Sequence, residues 1–299
     1  MLDVVIIGSG PAGITAAIYA KRANLNVAVV EKEYLGTGQI AESSRVDNYP
    51  GIPGIDGYSL GEKFREHAES LGVEFTEAQV LSLGPKDGIW IIGCDEDITL
   101  ESKAVIYATG CKNRPLGVPG EEKYYGRGLS FCAVCDGAFY KGKRVAVIGG
   151  GDTALDDAMY LSDICEKVYL VHRREFFRGS ASTLEKLKQK ENAEIIVNVR
   201  VEEITGDKKI DGIILDNKTK LNISGLFAAV GMIPQTELLK EFGVLDESNY
   251  VKASEDTKTT VNGLFAAGDV RTKQLRQVVT AAADGANAIY SVMEYLRNI

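Results

Sequence analysis

Asp3-Val4-Val5-Ile6-Ile7-Gly8-Ser9-Gly10-Pro11-Ala12-Gly13 decides the fold. The opening run of branched apolar residues predicts a strand buried on both faces, as in a parallel sheet. Gly8, Gly10 and Gly13 then fall at the G-x-G-x-x-G spacing. Glycines there permit a tight turn and let a pyrophosphate approach the N-terminus of the following helix. Ile14, Ala17, Ile18 and Ala20 continue as an apolar helix, and a second strand, Val27–Val30, ends at Glu31. An acid at that point accepts hydrogen bonds from ribose hydroxyls. The glycine spacing alone is weak evidence. With a strand before it, a helix after it and the acid in place, it predicts a dinucleotide site at Gly8, Gly10, Pro11, Ala12, Gly13 and Glu31.

The chain repeats this pattern. Arg144–Ile148 is a second opening strand, followed by Gly149-Gly150-Gly151-Asp152-Thr153-Ala154 with alanine at the third fingerprint position. The next strand, Val168–Val171, runs into His172-Arg173-Arg174 and then Arg178. Guanidinium forks suit a phosphate, so a basic cluster where the first site has an acid predicts a 2′-phosphate, hence NADP over NAD. Gly225-Leu226-Phe227-Ala228-Ala229-Val230-Gly231 is echoed by Gly263-Leu264-Phe265-Ala266-Ala267-Gly268-Asp269, as if each closed one nucleotide domain. The predicted fold is α/β, with two Rossmann-like three-layer domains and the second inserted into the first. Residues 1–115 and 241–299 form one domain and 116–240 the other. Leu35 to Ile40 reads as turns, Val73–Leu100 and Asn192–Ser224 as antiparallel meanders, and Val278–Leu296 as a long alanine-rich helix.

Bulk properties narrow the function classes. A net charge of −8 over 299 residues leaves no basic footprint for nucleic acid or an anionic membrane. No apolar run is long enough to span a bilayer. The chain enters a strand at once, with no room for a signal peptide, so a cytoplasmic setting is expected.

Between the two glycine turns lies Ser130-Phe131-Cys132-Ala133-Val134-Cys135-Asp136-Gly137. A C-x-x-C pair closes a small reducible disulfide and favours one thiolate near neutral pH. Asp136 beside it is placed to give or take a proton. Zinc would need further ligands, but Cys94, Cys111, Cys165, His67 and His172 are scattered, so no metal is expected. Two plain buried thiols are the ordinary alternative. With nucleotide sites on either side, the pair reads as a relay between two bound cofactors.

Taken together, Gly8 to Gly13, Gly38-Gln39, Asn48, Thr109-Gly110, the Cys-Ala-Val-Cys-Asp block, Gly149 to Ala154, His172-Arg173-Arg174 with Arg178, Gly268-Asp269 and Arg276-Gln277-Val278 form one ordered series. Across essentially the whole chain it resembles the bacterial low-molecular-weight thioredoxin reductases. The resemblance implies FAD in the first domain, NADPH in the second, thioredoxin as the disulfide partner and a homodimer. It also implies that Cys135 lies nearer the flavin, that Cys132 attacks the partner and that Asp136 is the general acid. Linkers near Leu116–Gly117 and Leu239–Lys240 would let the domains swing, and Arg127 would lie on the docking loop. Departures are small: Asp156-Asp157 replaces paired glutamates, and Asp136-Gly137-Ala138-Phe139 has one aromatic fewer than some relatives. The alternatives are the same chemistry on another thioredoxin-like or peroxiredoxin-system partner, or a non-catalytic flavin-binding redox sensor.

Overall fold

Strand β1 (Leu2–Ile7) is the axis of the first of two compact units, and Val4, Val5 and Ile6 on it are wholly buried. These features come from a computed structural model that describes residues 1–33, 37–43 and 45–299, the Glu42 side chain left aside. Leu35 and Gly36 of the expected turns lie outside the described residues.

The first unit comprises Met1–Lys112 and Ile233–Ile299. Helix α1 (Pro11–Arg22) starts with proline, whose fixed φ suits a first turn. Just beyond its end Asn24 turns left-handed at φ 60°, and the Leu25 N–H returns to Ala20 O. β2 (Val27–Glu31) pairs parallel with β1, aligning Val4 with Val27. Helix α2 (Gly57–Ser70), capped by Asp56 accepting from Ser59 N at 2.9 Å, leads to β3 (Glu74–Glu77). Then come β4 (Val80–Lys86), β5 (Ile89–Cys94) and β6 (Thr99–Tyr107), and the chain leaves through β7 (Cys111–Asn113).

The second unit is Asn113–Met232. It holds β8 (Leu129–Ser130), the one-turn α3 (Ala133–Asp136), β9 (Arg144–Ile148), α4 (Asp152–Ser162), β10 (Lys167–His172) and α5 (Ala181–Lys188). β11 (Ala193–Val197) precedes an antiparallel sheet of β12 (Val201–Thr205), β13 (Gly212–Leu215) and β14 (Lys220–Asn222), then β15 (Gly225–Ala228). The chain returns through β16 (Met232–Pro234) and completes the first unit with β17 (Leu264–Ala266) and α6 (Val278–Leu296).

The two units share one plan. In the first, the parallel order is β3-β2-β1-β6-β17; in the second it is β11-β10-β9-β15-β8. Each sheet is buried on both faces, which is why its strands read as continuous apolar runs. In the first unit α1 and α6 cover one face, packed so closely that a Cβ on Gly285 would lie 2.2 Å from Ala12 O. Among the described residues no helix is long and apolar enough to cross a membrane.

Two sequence expectations change. The supposed meanders begin with strands of the parallel sheets: β3 pairs parallel with β2, and β11 with β10, so antiparallel pairing starts only at Val80 and Val201. The echoed strands also hold different places. β15 lies directly beside the opening strand β9, whereas β17 lies one strand further out, beside β6.

The units divide at 112/113 and 232/233, earlier than the expected 115/116 and 240/241. The reason is local. Glu121, 1% exposed, accepts the N–H groups of Leu116, Gly117 and Val118, so that stretch is clasped inside the second unit. Leu239 is wholly buried in the first unit's core.

Candidate active site

In the first unit the end of β1 turns at Gly8, with φ 102°. A Cβ there would lie 2.6 Å from Ala108 O, and one on Gly13 would lie 1.9 Å from Gly8 O. Above Gly10, by contrast, nothing lies within 4 Å, the open backbone that a phosphate group needs. Glu31 closes the rim: its Oε2 accepts from Ser9 N at 2.8 Å and Ser9 Oγ at 3.0 Å, and its Oε1 from Lys32 N at 2.7 Å. Two distant segments press onto this turn. A Cβ on Gly38 would lie 3.5 Å from Gly10 Cα, and one on Gly268 would lie 2.9 Å from Ala12 Cβ.

Beside each of those glycines is an unusual atom. Among the described residues, Thr37 Oγ1 and Asp269 Oδ1 are the buried side-chain oxygens without a partner. Buried polar groups nearly always have one, so both call for a donor or acceptor from a ligand. Burial pushes the Asp269 carboxyl up, against the pull of Lys273 and Arg276. Arg276 stacks over the Tyr250 ring at 4.1 Å, with Nε 3.3 Å from Asp269 O. Asn48 Nδ2 donates to Gln277 Oε1 at 2.9 Å, joining two predicted site residues far apart in the chain; Gln277 is also the N-cap of α6, whose first residue is Val278. Thr109 Oγ1 donates to Gln235 O at 2.7 Å, and Gly110 turns at φ 67°. These residues form a cradle able to hold a dinucleotide along the turn and a hydroxyl-rich chain at Asp269.

In the second unit a Cβ on Gly149 would lie 2.4 Å from Ala229 O, while Gly151 is open on its outer side. Thr153 is exposed and Ala154 wholly buried in the first turn of α4. The arginine loop is stitched to this turn. Arg178 N and Gly179 N donate to Gly150 O at 2.7 and 3.2 Å, and Ser180 N donates to Asp152 Oδ1 at 2.7 Å. His172 lies underneath, 8% exposed, with its ring against Gly150 and Nε2 3.2 Å from Phe176 O. That contact requires the Nε2–H tautomer. Burial, aided by Arg173, Arg174 and Arg178, holds the imidazole below its usual range, so it is neutral at neutral pH. His172 thus supports the loop, and the cationic surface is that of the exposed Arg173, Arg174 and Arg178.

The cysteines lie on the same unit. Cys132 and Cys135 are joined as a disulfide across α3, with Cα atoms 5.3 Å apart. Cys132 is the N-cap, and the Cys135 N–H donates to its Sγ at 3.1 Å, a donor ready for a thiolate there. Asp136 is half-buried; burial raises its carboxyl, and a 2.6 Å hydrogen bond from Ser130 Oγ opposes the rise. Val134 and Phe139 leave an exposed apolar edge beside the pair.

The model of the pyridine nucleotide-disulphide oxidoreductase family matches residues 2–285. The chain belongs to that family. Among its relatives, thioredoxin reductase of Helicobacter pylori (strain J99) is 40% identical over 310 residues, covering 100% of both chains. Thioredoxin reductase of Bacillus subtilis (strain 168) is 38% identical, covering 99% of this chain and 95% of the relative. The crystal structure of thioredoxin reductase from Streptococcus pyogenes superposes with a TM-score of 0.94 at 39% identity, covering 100% of this chain and 99% of that one.

This pyridine nucleotide-disulphide oxidoreductase also uses residues that pattern reading passed over. Asp284, 2% exposed on α6, accepts from Gly268 N at 2.9 Å, from Arg271 through both oxygens and from Lys273 Nζ at 2.8 Å. It anchors the segment carrying Asp269. Its one sequence signal is an acid inside an otherwise alanine-rich helix. Ser130 had no signal beyond standing two residues before Cys132.

Proposed function

We propose that this oxidoreductase takes electrons from NADPH and reduces the disulfide of thioredoxin, with FAD held in the first unit, NADPH in the second and Cys132–Cys135 as the relay. The observation that carries the reading is the Cys132–Cys135 disulfide with Asp136 beside it, in the unit that also bears the arginine loop. Held at the two turns, a flavin and a nicotinamide would supply the hydride and two-electron chemistry, which is the cofactors' own.

The chain's residues then have separable tasks. Gly8, Gly10, Gly13 and the start of α1 receive the pyrophosphate of the first dinucleotide, Glu31 its ribose hydroxyls, and Asp269 Oδ1 a hydroxyl of the ribityl chain. Asn48 and Gln277 brace one another at the mouth of α6. Gly149 to Ala154 receive the second pyrophosphate, and Arg173, Arg174 and Arg178 grip the 2′-phosphate with charge-assisted hydrogen bonds. Reduction of the disulfide leaves Cys132 as the thiolate, favoured by the Cys135 N–H. Its sulfur attacks a partner disulfide; a mixed disulfide forms and one partner sulfur leaves with the electron pair. Cys135 then attacks Cys132, the intramolecular bond re-forms, and the second partner sulfur leaves, protonated by Asp136. The same reading includes a homodimer acting in the cytoplasm.

The test is direct. Purified protein should be yellow, release FAD on denaturation and oxidise NADPH far faster than NADH only when thioredoxin disulfide is supplied. A colourless protein that takes up no FAD would overturn the reading.

A further inference from the structure

Ser130 has no task in the cycle above, yet its hydroxyl is the junction of the redox turn. It ends the edge strand β8, aligned with Phe227 of β15, and is 5% exposed. Oγ accepts the Cys132 N–H at 3.1 Å and donates to Asp136 Oδ2 at 2.6 Å; Cys132 O lies 3.3 Å away as the other acceptor. A hydroxyl has one proton to give, and the shorter, charge-assisted contact to the carboxyl receives it. With Oδ2 occupied as an acceptor, a proton carried by the Asp136 acid belongs on Oδ1.

We propose that Ser130 is a positioning residue for disulfide exchange: it aims the Asp136 carboxyl, leaves Oδ1 to hold and release the proton, and ties that carboxyl to the backbone of the attacking cysteine. The proposal rests on the functional reading above and deepens it. In the resolving step the Cys135 sulfur attacks Cys132 Sγ, the bond from Cys132 to the partner breaks, and the partner sulfur takes the electron pair. The proton on Asp136 Oδ1 passes to that sulfur, and solvent restores it. A correctly aimed Oδ1 matters because proton transfer requires hydrogen-bond reach to one particular atom.

Ser130 also opposes burial. Its donated hydrogen bond favours the ionised carboxylate, whereas desolvation favours the acid. Removing the hydroxyl therefore leaves Asp136 protonated to higher pH.

The experiment uses the flavin-loaded protein with Ser130→Ala and Ser130→Thr. The first readout is the pH profile of single-turnover thioredoxin reduction by pre-reduced enzyme. The second is the titration of the Asp136 carboxyl, followed by isotope-edited infrared or carbon NMR without any substrate. Ser130→Ala should slow turnover about 10- to 100-fold, the size of one hydrogen bond to a charged group. It should also move both the alkaline limb and the carboxyl midpoint to higher pH. Ser130→Thr, which keeps the oxygen, should restore both. A profile lowered uniformly, with limb and carboxyl midpoint unmoved, would overturn the proposal, because it would show a merely structural serine. Should Ser130→Thr fail to fold, the carboxyl midpoint of Ser130→Ala decides alone. Wild-type protein that reduces no thioredoxin would sink the functional reading instead, and the substrate-free titration would still judge the serine.

Discussion

Replacing Asp284 by asparagine strikes the buried cluster that holds the Gly268–Asp269 segment. In the native unit one carboxylate serves four contacts: Gly268 N at 2.9 Å, Arg271 Nε at 2.9 Å, Arg271 Nη2 at 2.6 Å and Lys273 Nζ at 2.8 Å. Arg271 and Lys273 side chains are each only 6% exposed. Asparagine keeps the shape but removes the charge, leaving Arg271 and Lys273 out of water without the carboxylate they share, with the Asp269 carboxyl as the remaining acid that acts on Lys273. Breaking a buried pair by removing one partner costs about 3–5 kcal/mol. At about 2–4 °C per kcal/mol for a unit of this size, melting should fall by roughly 10 °C. The Gly268 N–H also loses its best acceptor, so Asp269 is less firmly placed and flavin retention should drop in parallel. Adding Lys273→Met to Asp284→Asn removes one orphaned cation and should recover about 1–2 kcal/mol, a coupling within the range for contacting residues. Differential scanning calorimetry and the ratio of visible to ultraviolet absorbance measure the two effects. An Asp284→Asn protein melting within about 2 °C of wild type would refute the argument, since that is under 1 kcal/mol.

Other expectations follow from single groups. Burial, with the neighbouring Asp156 carboxylate adding to it, pushes Asp157 up to about 7 from 3.8. The folded state therefore binds a proton that the unfolded chain has released, and stability falls as pH rises through that window. At 1.36 kcal/mol per pH unit the ceiling is about 4 kcal/mol. Asp157→Asn should flatten the slope, and urea melts on either side of pH 7 would expose a wrong sign. Cys135→Ser should abolish thioredoxin reduction while NADPH still bleaches the flavin; continued turnover would defeat the relay. Arg174→Ala should raise KM for NADPH about 10- to 100-fold, the worth of a lost charge-assisted bond, and leave NADH unchanged. His172→Asn should weaken both nucleotides, because it loosens the loop that carries the arginines; a loss confined to NADPH would count against that assignment.

The two glycine turns were legible because strand, glycines and helix start stand together in one short stretch each time. Gly13 meets Gly8 O and Gly149 meets Ala154 Cβ, contacts that a few neighbouring letters specify, whereas Gly8 is also closed in by Ala108 from β6's end of the sheet. The long helix Val278–Leu296 was legible for a similar reason, as one continuous alanine-rich run. What escaped depends on contacts between distant segments. β3 and β11 are short and partly polar or half-buried, so nothing in their letters distinguishes a fifth parallel strand from the start of a meander. Ser130, Glu121 and Asp284 are ordinary residues by composition. Each gains its role from a hydrogen-bond set that exists only after folding, and in Glu121 that set moves the apparent linker several residues upstream. His172 shows the converse: nothing in its letter says that its ring lies 8% exposed against Gly150, beneath the loop that carries the arginines.

The first unit is assembled from both ends of the chain, whereas the second is one continuous segment. A ribosome that has just released Met232 has therefore delivered everything the second unit needs, while the sheet around β1 still lacks β17 and the apolar face of α6. Nascent protein must carry that uncovered surface through the synthesis of the remaining chain, the interval in which chaperone contact and misassembly are most probable. Truncation from the C-terminus should accordingly spare the arginine loop and the cysteine turn while leaving the other half unable to close.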